Sequence, residues 1–73
     1  MWTVVYIAPN RVVADMLKEL LNKEGFVVML RPIGAPHLGA ASSVEILVPN
    51  SEAEEALEVI NNYIGSGTPD LNN

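Results

Sequence analysis

Seventy-three residues without a cysteine make one small domain at most, with no disulfide and no thiolate metal site to hold it together. Nine acidic against four basic residues leave a net charge of −5, too few bases for the positive stripe that nucleic acid or an anionic membrane demands. No apolar run approaches the roughly 20 residues of a membrane span, and MWTVVYIAPN lacks the basic start of a signal peptide, so the expectation is a cytoplasmic protein.

A chain this short buries only about 60–65% of its unfolded surface. It must therefore rely on tight packing or on a partner. Residues 3–8 (TVVYIA) are β-branched and aromatic and end at Pro9, which predicts a strand. Asn10 suits a helix N-cap. Val13, Met16, Leu17, Leu20 and Leu21 follow at helical spacing, with Asp15, Lys18, Glu19, Asn22 and Lys23 on the other face. Glu19 and Lys23 form a favourable i,i+4 pair, and Gly25 is the expected stop.

A second strand is predicted over 26–30 (FVVML). The connection RPIGAPHLGAASS, residues 31–43, is far longer than the two to five residues of an ordinary hairpin loop. Residues 44–48 (VEILV) form a third strand, stopped by Pro49. Ser51 and Glu54 then read as a capping box opening a second helix. Ala53, Ala56, Leu57, Ile60 and Ile64 supply its expected buried stripe. Residues 65–73 (GSGTPDLNN) have turn formers and little apolar content, so the domain is expected to span 1–64 and the tail to be disordered. An internal echo supports the division: VVYIAPN at 4–10 and VEILVPN at 44–50 both read strand, proline, asparagine, helix.

The order is βαββα. A right-handed crossover makes the first two strands parallel, and the long connection lets the third return antiparallel between them. The expected fold class is α+β: an abbreviated ferredoxin-like plait, a three-stranded sheet of order 1-3-2 with two helices on one face. If water covers the other face, the strands should alternate apolar with polar residues. Val4, Val5, Tyr6 and Ile7 do not alternate, nor do Val27, Val28, Met29 and Leu30. That pattern predicts a homo-oligomer, most simply a homodimer formed through the open sheet face or the strand edges. The bland reading is a monomer with tyrosine and methionine partly exposed.

Catalytic constellations are missing. His37 is the sole histidine and has no co-ligands, so neither a metal nor a cofactor is expected. Glu52, Glu54, Glu55 and Glu58 cluster where a helix dipole favours negative charge, and no nucleotide-binding glycine motif occurs. The chain reads as a protein other than an enzyme. The topology does carry the start of the long connection to the N-terminus of the first helix. Asn10, Arg11, Arg31, Gly34, His37 and Gly39 are therefore the candidate binding residues. Free helix N–H groups and two arginines there suit a small anion or a partner protein. The bland reading is that the arginine stems only flank apolar surface, and that the glycines and prolines merely turn the chain.

Tyr6 to Arg11 (YIAPNR), Arg31-Pro32, Pro36-His37-Leu38-Gly39 and Val48-Pro49 give the chain a recognisable pattern across residues 1–64. In these it resembles the small bacterial domains of the prokaryotic signal-transducing protein family. The resemblance implies a ferredoxin-like plait, similar to that of the nitrogen-regulatory PII proteins, which carry a long signalling loop between strands two and three. This chain has residues 32–43 there, a shorter loop, and it lacks the fourth strand of a full plait, so no PII nucleotide-binding residue is transferred. The function implied is a regulatory, signal-transducing module that binds through that loop. The alternative is a structural oligomerisation domain with no ligand of its own.

Overall fold

A computed structural model describes residues 1–34 and 42–66. Strand β1 (Trp2–Ala8) leads into helix α1 (Arg11–Lys23), followed by β2 (Met29–Pro32), β3 (Val44–Pro49), a 3-10 turn (Asn50–Glu52) and helix α2 (Ala53–Ser66). The sheet has the order β1-β3-β2, and both outer strands run antiparallel to β3. This is the expected abbreviated ferredoxin-like plait.

Helix α1 begins where the sequence indicates. Asn10 is extended at φ −158°, and its side-chain oxygen accepts the Val13 N–H at 3.0 Å. The helix ends in a Schellman arrangement around Gly25, whose φ of +97° few other residues adopt without strain. The Gly25 N–H reaches the Asn22 carbonyl and the Phe26 N–H reaches the Leu21 carbonyl, each at 3.0 Å. Phe26 is thereby turned back onto the core beside Leu21.

The strand register sorts side chains by face. Directly opposed residues share a face, so Thr3 and Val48, then Tyr6, Ile46 and Leu30, then Ala8, Val44 and Pro32 form rows on one side. Ala14, Leu17 and Leu21 of α1 and Ala56 and Ile60 of α2 pack on that side, with Val44, Ile46 and Val48 at the centre. The opposite side carries Trp2 with Pro49, then Val4, Leu47 and Met29, then Ile7, Glu45 and Arg31. Val5 interrupts the β1 ladder as a bulge, and it turns inward and is buried.

Five local expectations are corrected. The second strand lies later than 26–30: the ladder runs from Met29 to Pro32. Alternation along β3 explains its start. The Asn50 N–H points to β1, where it meets the Met1 carbonyl at 2.8 Å, so Pro49 would direct its N–H towards β2. Proline has none, and the ladder cannot extend to Val27. In α2, Leu57 and Ile64 face outward, and the buried stripe is Ala53, Ala56, Val59 and Ile60. In α1, Met16 is exposed and Ala14 takes the inner place.

The fourth correction concerns the echo of Asn10 by Asn50, which fails chemically. The Asn50 side-chain oxygen accepts a hydrogen bond from the Thr3 hydroxyl, and a 3-10 turn rather than an Asn-capped helix follows. Gly65 and Ser66, assigned above to the tail, belong to α2. The expectation of a disordered tail otherwise falls on 67–73, outside the described residues. No helix among the described residues is long and apolar enough to cross a membrane.

Candidate functional site

The row of Ala8, Val44 and Pro32 marks the end of the sheet where β1 and β2 both finish. Beyond it, Pro9 and Asn10 lead into α1, and Ile33 and Gly34 lead into the long connection. Ile33 adds one more rung, its N–H donating to the Ser43 carbonyl at 2.9 Å. Hence the connection proper is 34–42, tied at both ends to the sheet. Gly34 opens it at φ +94°, with open space where a Cβ would stand.

Topology therefore gathers Asn10, Arg11, Arg31 and Gly34 at one end of the molecule, but on two layers. Asn10 spends its side-chain oxygen on the helix cap. Arg11, the first residue of α1, is exposed on the helix layer, and its Nε donates to the Asp15 carboxylate at 3.2 Å. Arg31 belongs to the opposite face, where its Nε donates to Oε1 of Glu45 at 2.7 Å, directly across the ladder. His37 and Gly39 lie outside the described residues.

Each arginine thus already holds a carboxylate. Both pairs are largely exposed on the arginine side, and such ion pairs contribute about 0–1 kcal/mol, so an incoming anion or acidic side chain displaces them at little cost. Reading the sequence alone missed Glu45 as the partner of Arg31. The signal was present: Glu45 is the one charge within the third strand. With 31–43 taken as loop, however, Arg31 had no register from which its neighbour could be inferred. Shallow grooves among the described residues lie elsewhere, one of them between α1 and α2, lined by Met16, Glu19, Leu20, Lys23 and Tyr63.

A three-stranded sheet backed by two helices, with its longest connection at one end, defines a small ferredoxin-like α+β module. Over residues 2–64 the chain matches the family described as "Putative prokaryotic signal transducing protein", and it belongs to that family. No curated protein and no solved structure matches it.

Proposed function

We propose that the domain is a non-catalytic, cytoplasmic signal-transducing module whose β2–β3 connection engages a protein partner or a small anionic metabolite, in the manner suggested by PII proteins. One observation carries this reading. The Ala8–Val44–Pro32 row sets both ends of an over-long connection level with the start of α1, on a domain that is otherwise economical in its turns. Family membership supports a signalling role in general terms. Arg11 and Arg31 supply replaceable cationic contacts from the two layers, and His37 would add a further hydrogen-bonding group.

The test is amide NMR of the full chain titrated with inorganic phosphate and with nucleotides. Expected are saturable shifts at Asn10, Arg11 and residues 31–43, weakened in Arg11→Ala. An unchanged spectrum with these probes sinks the metabolite arm. The protein arm is tested by partner capture with Arg31→Ala/His37→Ala. Lost capture with unchanged assembly supports the module. Lost assembly with no ligand found supports the alternative, a structural oligomerisation domain.

A further inference from the structure

The open face of the sheet is apolar in a way that water does not explain. Its central row is Val4, Leu47 and Met29. Leu47 is only 2% exposed although it stands outside the helix-side core cluster. Around it Trp2 is 44% exposed, Val4 38% and Ile7 55%. A face meant for water carries polar side chains at these positions. Here the polar pair is Arg31 with Glu45, at one end.

We propose that this face binds a second copy of the same chain, sheet against sheet about a two-fold axis. Three features of the molecule select that occupant. The first is charge. The chain carries −5, but Glu45 is the single described acid on the sheet; the others lie on α1, α2 and the turns beside them. The open face is therefore neutral, with Arg31 beside Glu45. A surface holding one positive and one negative group side by side is its own complement under a two-fold rotation. A strongly basic or acidic partner gains nothing there.

The second feature is the treatment of the edges. On β2, Ile33 directs its N–H to β3, so Pro32 would direct one outward and has none. That edge is short and lacks a donor. On β1, the bulge at Val5 breaks the even spacing that an added strand needs. Both edges thus carry the devices that prevent strand addition, and the face carries none.

The third feature is size. Strands of 7, 6 and 4 residues, at about 3.3 Å per residue and about 4.8 Å between strands, give a face of roughly 270 Å² in projection. With side-chain relief, two such faces bury on the order of 1,000 Å² in total, where specific but weak dimers begin. Aligned sheets pack about 10 Å apart with strands some 30° from parallel, which lets the Val4–Leu47–Met29 rows interdigitate. The face shares Arg31 with the β2–β3 end, so the substitutions that test it are placed at Val4 and Ile7, away from that residue.

Sedimentation velocity of the full chain up to about 100 μM, with Trp2 fluorescence on the same samples, tests the proposal. Trp2 is the single tryptophan and belongs to the face. The expected result is a dimer that dissociates on dilution, with Trp2 emission moving to shorter wavelength as it forms. Val4→Lys should raise the dissociation constant about 100-fold or more, because each charge enters the interface twice. Ile7→Lys, at a more exposed position, gives the same reading if Val4→Lys fails to fold. Val12→Lys, 69% exposed on α1, should leave association unchanged. A monomer with concentration-independent emission overturns the proposal, as does a dimer that survives both face substitutions or an assembly larger than two. None of these outcomes bears on the anion titration, so the two readings fail separately.

Discussion

Asn10 and Asn50 show how one residue type in one sequence context performs two jobs. Asn10 caps α1 through its side-chain oxygen, and Asn50 instead receives the Thr3 hydroxyl and pins the start of β1 to the end of β3. The difference lies in what stands nearby, and no local pattern displays that. Asn10→Ala should lower stability by about 1 kcal/mol, the usual worth of an N-cap. For a chain of this length, such a loss moves the melting temperature down by about 4–8 °C, which thermal circular dichroism resolves. Gly25→Ala should cost about 1 kcal/mol or more, because φ +97° is retained by the Schellman bonds on either side of it. A substitution there that left stability unchanged would mean that the turn rearranges.

At the level of elements, legibility followed periodicity and failed at prolines. Helix α1 was readable because cap, stop and stripe agree, and β3 was readable because the five residues VEILV lie between a turn and a proline. β2 was misplaced by three residues at its start for a reason that no window of local sequence contains. The missing N–H is that of Pro49, twenty residues away, and it matters only once the register is known. Arg31-Pro32 looked like the opening of a loop, yet Pro32 is tolerated in the ladder because its nitrogen faces the outer edge.

In α2 an apolar residue at helical spacing was equated with a buried one. The helix has more apolar residues than the sheet can cover, and Leu57 at 40% exposure is in excess. Ile60→Ala should therefore cost about 2–5 kcal/mol, while Leu57→Ser should stay within about 0.5 kcal/mol. Urea denaturation of the two variants separates them. Comparable losses would show that α2 is rotated from the position described.

The whole molecule is two layers thick, and its centre is β3. Val44, Ile46 and Val48 are all nearly inaccessible, and they join both helices to both outer strands. Net stabilities of small domains are about 5–15 kcal/mol at best, so Ile46→Ala, at about 2–5 kcal/mol, removes a large part of the total. The expectation is a variant substantially unfolded at 37 °C, visible as lost amide dispersion. The candidate site was legible at this scale in one respect only. Strand order and direction dictate which end the long connection shares with α1. The side of the sheet taken by each arginine is a matter of register, and register follows from the ladder.

β3 also has a consequence for the order of events in folding. β1 and β2 never pair with each other; each pairs only with β3, which follows the long connection in the chain. No rung of the sheet can form until the segment beyond residue 43 has arrived, so closing the 34–42 connection is a step that every folding route to β2–β3 pairing shares. The entropy of closing a flexible loop grows slowly, about 0.6 kcal/mol for each doubling of its length. The domain can therefore accept a longer or rewritten connection at little thermodynamic expense. A scaffold with that property is free to change what it recognises while keeping how it folds.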